Sequence, residues 1–203
     1  MSRWPTVSGW VGVHPTVPAF GILGCVALAA AAFGTTALSD VGLIRLVAPI
    51  SVGLLLPAAA AIGVAVAADN RARLPLPNPP RAAAARAAWL VTWMLLAALV
   101  VHVGQLTGAH TDTRPVLRNL MLQGTLAVAV VRVGYAHLAW SPPLAYTLAC
   151  VMFGYAGDEP RYYWWAVIMQ ERTTDAQWAV CGCALALVFV AYSLAAPRYR
   201  DSE

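Results

Sequence analysis

From Val17 to Ala196 the sequence is almost continuously apolar, and only short polar stretches interrupt it. A helix that crosses a bilayer needs about 20 predominantly apolar residues. Backbone polar groups inside hydrocarbon must pair within the chain, so such runs become helices and not open sheets. Only 11% of the 203 residues are charged, against about 25% in soluble proteins. The sequence therefore predicts a polytopic membrane protein with a single transmembrane domain over 1–203.

The apolar runs predict six transmembrane helices packed in one all-α bundle, with both chain ends on the cytoplasmic side of a bacterial cytoplasmic membrane. The predicted spans are 17–37, 41–68, 87–108, 118–140, 143–157 and 177–196; outside them lie an interfacial segment at 1–16, a cytoplasmic loop at 69–86, an outer segment at 157–176 and a cytoplasmic tail at 197–203.

The distribution of arginine favours this orientation, because cytoplasmic loops carry an excess of basic residues. The net charge of +4 is spread over membrane-flanking positions, so topology explains it and no nucleic-acid partner is expected. Seven arginines fall inside (Arg3, Arg71, Arg73, Arg81, Arg86, Arg198, Arg200) and four outside (Arg114, Arg118, Arg161, Arg172).

The fifth apolar run is visibly broken. It begins at Pro143 and extends for about 15 residues, which is short for a bilayer crossing. A charged, proline-containing break follows, and the apolar character resumes as the aromatic stretch Tyr162–Met169. The pattern predicts a span that stops early and an amphipathic half-helix that returns along the outer interface. The residues expected to form this re-entrant segment include Gly157, Asp158, Glu159, Pro160, Tyr162, Trp164 and Trp165.

Three of the polar residues within the predicted spans are candidate functional residues: His102, Gln123 and Arg132. Each is a candidate for a transport pathway or for helix packing, because polar groups at membrane depth are costly and face protein or water. Arg132 has no acidic residue within any span to pair with, so we expect it to reach inward to the membrane surface, the alternative being that it faces a cavity or a partner helix. Of the titratable residues within the spans only His102 could serve a proton-driven carrier, so energy for any transport is expected from a partner.

Motifs for chemistry are missing from the sequence. No phosphate-binding loop, His-Glu-x-x-His or Gly-x-Ser-x-Gly pattern is present. His102 and His137 are expected at different depths, which disfavours a shared haem. Cys181 and Cys183 point about 200° apart on a helix and do not converge on one ligand, and their role is left open. We therefore expect no catalytic residue, cofactor or metal in this chain, and a small membrane enzyme or redox protein is a minor alternative.

The layout of spans resembles that of the membrane subunits of type-2 ABC exporters, in particular small actinobacterial permease-like proteins. The resemblance lies in six spans, a cytoplasmic loop between the second and third, and an outer re-entrant element before the sixth. It is also carried by local stretches: Ala-Val-Ala-Ala-Asp69-Asn-Arg-Ala-Arg73, Arg81-Ala-Ala-Ala-Ala-Arg86 and Arg118-Asn-Leu120.

This resemblance implies a permease without a nucleotide site of its own. It would pair with a second permease half, identical or related, and with two cytoplasmic ATPase subunits that bind ATP and Mg²⁺. Residues 157–169 would close the outer end of a pathway for a hydrophobic or amphipathic cargo. The residues implied in coupling to the ATPase are Arg71, Arg73, Arg81 and Arg86.

The residues themselves leave a second function open, that of a non-transporting accessory or scaffold subunit in a larger membrane complex. A scaffold predicts a bundle without a continuous polar path. A water-filled cavity lined by His102, Gln123 and Thr125 would count against it.

Overall fold

The computed structural model describes residues 14–41, 44–69, 79–106, 108, 112–156 and 161–194. Within these ranges the helices are α1 (Thr16–Phe33), α2 (Val52–Ala68), α3 (Pro79–Val101), α4 (Val103–Leu106), α5 (Thr113–Val133), α6 (Ser141–Phe153) and α7 (Asp175–Ser193). The strands are β1 (Ala37–Val41), β2 (Ile44–Ser51), β3 (Tyr155–Ala156) and β4 (Arg161–Tyr162), and 3-10 turns occur at Ala136–Leu138 and Val167–Met169.

Among the described residues, four helical segments are long and apolar enough to cross a membrane: α1, Ala83–Leu106, α5 and α7. The mostly helical structure is therefore compatible with the predicted helical membrane bundle. The predicted number of six spans is not confirmed, because α2 has 17 residues and α6 only 13. At 1.5 Å per residue α6 is about 20 Å long, well short of the roughly 30 Å hydrocarbon core.

The helices alternate in direction along the bundle. Helices α2, α5 and α7 begin at the end where the β1–β2 hairpin lies, and α1 and α3 end there, where Gly104 of α4 approaches the backbone of Ala30. We call this the hairpin end. At the opposite end, Tyr192 of α7 contacts Ala68 of α2. We call this the loop end, because α2 ends there.

Helix α2 occupies the centre of the bundle and packs against α1, α3 and α5. Ala60, Ala61 and Val64 are completely buried. Such small side chains let neighbouring helices approach closely, which is how helices pack in the absence of water. Gly63 shows how closely α1 and α2 approach, since a Cβ atom there would lie 3.1 Å from Leu23 Cδ2. The centre of the bundle is therefore a closely packed seam of small residues.

The second predicted span, 41–68, is wrong in its first part. Strands β1 and β2 form an antiparallel hairpin that pairs Ala37 with Ser51, and the helix begins only at Val52. Pro49 is compatible with this strand, because both strands of a two-stranded sheet are edge strands, where proline is tolerated.

The cytoplasmic loop predicted at 69–86 is shorter than expected, since α3 begins at Pro79. Proline is favoured in the first turn of a helix, where its missing N–H costs nothing. The Arg81–Arg86 stretch consists of alanine and arginine, both strong helix formers. About half of the predicted loop therefore belongs to a helix.

The predicted amphipathic half-helix over 162–169 is also wrong. Tyr162 lies in β4, which pairs with β3, and only a 3-10 turn forms at Val167–Met169. Aromatic residues favour strands over helices, and the β3–β4 pairing positions Tyr162 across from Tyr155, with ring centroids 5.5 Å apart. The chain does return toward the bundle, but as a hairpin and a turn.

Candidate functional site

The segment that joins β4 to α7, residues 163–174, covers the hairpin end of the bundle, and we call it the cap. It follows the early end of α6, where the chain turns at Gly154. A Cβ atom on Gly154 would overlap the carbonyl oxygen of Cys150 and would lie 2.8 Å from Ala166 Cβ. Only glycine allows the cap to approach the end of α6 this closely.

The inner side of the cap is buried against α6. Ala166, Ile168 and Met169 are at most 1% exposed and form one apolar cluster with Cys150. The hydroxyl of Tyr146 on α6 donates a 2.6 Å hydrogen bond to the carbonyl of Trp165. The cap is thus held to α6 by apolar packing and one short hydrogen bond.

Arg118 on α5 is completely buried beneath the cap. Its Nη2 donates to Gln170 O at 2.8 Å, and its Nη1 lies 3.1 Å from Thr173 Oγ1 and 3.3 Å from Arg172 O. Nη1 also lies 3.3 Å from Gln177 Oε1 at the start of α7. The guanidinium group of Arg118 therefore contacts three residues of the cap and one residue of the helix that follows it.

Asn119, the next residue, is also completely buried and completes this arrangement. Its Oδ1 accepts from Arg118 Nη2 at 2.9 Å and Nε at 3.1 Å. Its Nδ2 donates to Ile168 O in the cap at 2.8 Å and to Leu54 O in α2 at 3.0 Å. The opposite amide orientation would place Oδ1 against two carbonyls, so these contacts define the orientation. Asn119 joins α5, α2 and the cap.

The start of α7 is built into the same network. Thr174 and Gln177 form a reciprocal capping box, in which each side chain bonds the other's backbone N–H at 3.2 Å. Gln177 Nε2 also donates to Gln170 Oε1 at 2.7 Å, and Gln170 Nε2 donates to Tyr163 O at 3.2 Å. The cap and the first turn of α7 are therefore one hydrogen-bonded unit around Arg118.

Within the described part of the chain, the acceptors around the Arg118 guanidinium are carbonyl, amide and hydroxyl oxygens, and none of them is a carboxylate. A buried cation is costly unless it is paired or fully hydrogen-bonded. Neutral oxygens supply that bonding here, half of the bonds going to the cap and the rest to Asn119 and Gln177. By contrast, Arg114, one helical turn earlier, makes a 3.6 Å ion pair with Asp175 in which both side chains are largely exposed.

The loop end has its own set of side-chain bonds to α2. Trp89 Nε1 donates to Ala67 O at 2.8 Å, and the Tyr192 hydroxyl donates to Ala68 O at 2.7 Å. The last carbonyls of a helix have no partner within it, so these two side chains satisfy the end of α2. Arg132 Nε donates to Ala191 O at 2.8 Å. The side chain of Arg132 is thus bonded to the backbone of α7 near the loop end.

His102 and Gln123, the other two candidates from the spans, are not brought together. His102 Nδ1 donates to Ala98 O at 2.6 Å and its Nε2 is buried without a recorded partner. Gln123 Nε2 donates to Thr147 Oγ1 at 3.1 Å, and its Oε1 is likewise unpaired among the described residues. A cavity of about 10 Å³ lies near Val101 and Gly104, and it is lined by neither residue. This volume holds about one water molecule.

The remaining predicted site residues are distributed over both ends. Arg86 is half-buried on α3, and Arg81 lies in the first turns of the same helix. Trp164 is 83% exposed on the cap, whereas Trp165 is half-buried with its ring stacked near that of Tyr163. Arg71, Arg73, Gly157, Asp158, Glu159 and Pro160 lie outside the described residues.

No group of three or more metal-ligating side chains occurs in the parts of the chain that the structure describes. Comparison of the sequence and fold with protein-family models, curated proteins and solved structures gave no match. What can be concluded about function therefore rests on the physical arrangement of this chain alone.

The sequence did not single out the buried pair Arg118 and Asn119. Arg118 was interpreted as a flanking arginine because the fourth span was expected to begin there. The helix in fact begins at Thr113, so Arg118 lies more than one turn inside it. Pro115 was the available signal, because proline is tolerated in the first turn of a helix and so permits a start upstream of Arg118.

Proposed function

We propose that this chain is the permease subunit of an ATP-driven, ABC-type exporter and forms one half of a pathway for a hydrophobic or amphipathic cargo. The observation that carries the proposal is the arrangement at the hairpin end. Helix α6 stops after 13 residues, and the chain returns as a cap that is bound to α5 through Arg118 and Asn119. A closed cap over a truncated helix is suited to the outer end of a pathway.

The packing of the bundle supports a pathway shared between two halves. Helix α2 fills the centre with completely buried alanine and valine, which leaves little room for cargo inside one chain. Broad apolar faces of α1, α3 and α7 are exposed and available to lipid or to a second half. The cargo would pass between two such bundles.

The arrangement at the loop end supports an ATPase subunit as the partner there. We place this end at the cytoplasm, where Arg71, Arg73, Arg81 and Arg86 would contact the ATPase subunit, which binds ATP and Mg²⁺. The loop adjoins the end of α2, which Trp89 and Tyr192 bind firmly. A displacement of the loop would therefore move α2 as a rigid element.

The second candidate function is a non-transporting scaffold or accessory subunit of a larger membrane complex. It is favoured by the same close packing of α2, because a scaffold needs a rigid bundle and no polar path. The two candidates differ in their partner and in ATP turnover.

Gentle detergent purification, followed by mass spectrometry of the intact complex and an ATPase assay on the same sample, separates these candidates. The permease predicts an ATPase subunit at one copy per chain and vanadate-sensitive turnover. The double variant Arg71→Glu/Arg73→Glu should lose that subunit, and the matched variant Arg198→Glu/Arg200→Glu should retain it. A single chain or homodimer without ATPase activity would contradict the permease and favour the scaffold.

A further inference from the structure

We propose that Arg118 and Asn119 form a latch, which holds the cap closed over α6 and releases it in a second, open conformation of the same fold. The latch consists of these two side chains and their acceptors in the cap and at Gln177. The purpose of such a latch rests on the proposed function, since the cap would be the outer gate of the permease, but its operation is testable on the chain alone.

The first argument is the distribution of the bonds. Apart from the bonds to Asn119, the recorded acceptors of Arg118 belong to the cap or to the first turn of α7: Gln170 O, Arg172 O, Thr173 Oγ1 and Gln177 Oε1. The bond from Asn119 to Ile168 O fastens the middle of the same segment. Movement of the cap would break these bonds together, so the cap has one common fastening and behaves as a unit.

The second argument concerns the charge. Three of the four bonds from Arg118 to the cap and α7 are between 3.1 and 3.3 Å, and the acceptors are neutral. A hydrogen bond donated by a cation is charge-assisted even when its acceptor is neutral, but neutral acceptors bring no opposite charge to compensate the buried cation. If the cap lifts, water replaces these neutral acceptors and rehydrates a cation whose burial is costly. Hydration of Arg118 therefore offsets much of the loss, and the open state is accessible.

The third argument is what the cap protects. Cys150 is 1% exposed and packs against Ala166 and Ile168. A cap that lifts must uncover this thiol, whereas a cap that is a permanent part of the core leaves it buried. Cys150 is thus a native reporter of the latch.

The test uses the otherwise cysteine-free variant Cys25→Ser/Cys181→Ala/Cys183→Ser, purified in detergent, and follows the labelling of Cys150 by a membrane-impermeant maleimide. Arg118→Gln should increase the labelling rate about tenfold, because it removes the charge and most donors. Arg114→Gln is the matched control, since the same change one turn earlier removes only an exposed ion pair, and its labelling rate should stay within twofold of the parent.

A variant that strengthens the latch excludes misfolding as the explanation. Gln177→Glu places a carboxylate against Arg118 Nη1 and keeps an acceptor for the Thr174 backbone, but it removes the donor to Gln170 Oε1. The new ion pair to a buried cation outweighs that one neutral hydrogen bond, so Cys150 labelling should slow severalfold. Equal labelling rates in the parent, Arg118→Gln and Gln177→Glu would overturn the latch. A buried thiol introduced in α2 by Ala60→Cys, in a Cys150→Ala background, should stay unreactive in Arg118→Gln; its labelling would indicate general unfolding and also overturn the proposal.

The outcome is independent of the proposed function. A rate that responds to Arg118→Gln in a chain with no ATPase partner would support the latch and contradict the permease. A vanadate-sensitive complex in which the labelling rate of Cys150 does not change with Arg118→Gln would support the permease and contradict the latch.

Discussion

Asn119 of α5 donates a 3.0 Å hydrogen bond to the carbonyl of Leu54, a residue 65 positions earlier in α2. The bond lies just before Pro57, whose missing N–H already leaves the carbonyl of Gly53 without its helical partner. Because Asn119 also bonds Ile168, one amide connects the irregular first turn of the central helix to the cap. The stability of the hairpin end should therefore depend on it.

Replacing this amide tests that dependence. We expect Asn119→Leu to lower the free energy of unfolding by about 3 kcal/mol, because it removes the donor to two carbonyls and the acceptor of two guanidinium N–H groups in a buried site. Thermal unfolding in detergent, followed by circular dichroism, provides the measurement. Gln105→Leu, at an exposed side chain of the hairpin end, should change the free energy of unfolding by less than about 0.5 kcal/mol. Similar effects for the two variants would contradict the assigned role of Asn119.

Gly154 should tolerate no side chain. We expect Gly154→Ala to destabilise the protein by about 2 kcal/mol, since its Cβ would overlap the Cys150 carbonyl and crowd Ala166. Gly182→Ala on α7 is the control, because nothing lies within 4 Å of the added carbon. Because alanine is a better helix former than glycine, Gly182→Ala should raise the free energy of unfolding by about 0.5–1 kcal/mol. If both substitutions changed the free energy of unfolding in the same direction, the close approach at Gly154 would be contradicted.

The loop end should depend on a single hydroxyl. Tyr192→Phe keeps the ring and removes the donor to Ala68 O, which should reduce the free energy of unfolding by about 1 kcal/mol. Tyr135→Phe makes the same chemical change at a ring that is about half exposed, and we expect it to be neutral. Denaturant titration of the two variants and the parent gives the comparison, and a neutral Tyr192→Phe would rule out a contribution from this bond.

The β3–β4 hairpin should respond to high pH. Burial raises the pKa of the Tyr162 hydroxyl above its usual value, and the nearby Glu171 carboxylate and Tyr155 add to the increase. A pKa that is higher in the folded state stabilises the fold below the unfolded value of about 10, and that contribution is lost as the pH rises through the folded-state pKa.

Ultraviolet absorbance of tyrosinate, taken as the difference between the parent and Tyr162→Phe, measures this titration. Glu171→Gln removes a negative charge and should shift the midpoint toward lower pH. An unchanged midpoint in that variant would mean that Glu171 does not act on Tyr162.

How far the sequence predicts the structure differs from element to element. Helices α1, α5 and α7 were expected near their observed positions, because their apolar runs are long and the bilayer length sets the scale. The β1–β2 hairpin was missed, since Ile44–Ser51 belongs to the same largely apolar run as the helix that follows it and periodicity does not distinguish the two. The aromatic stretch at Tyr162 was assigned to the wrong structure for the same reason.

The candidate site was less predictable than the fold. The early end of the fifth apolar run was correctly expected, because a 13-residue helix is visible as a short run before a polar break. The latch was not expected, because Arg118, Asn119, Gln170 and Gln177 look like ordinary surface polar residues along the chain. Their meaning depends on contacts made across 49 to 65 positions.

By itself the sequence determined that this chain is a bundle of apolar helices suited to a membrane, because the length and composition of each run are local properties that a bilayer constrains directly. It also determined that one helix stops short. Only the tertiary structure decided that Arg118 is buried and that the cap is fastened to it. Hydrogen bonding between distant residues depends on how the helices pack, and their sequence pattern does not contain that geometry.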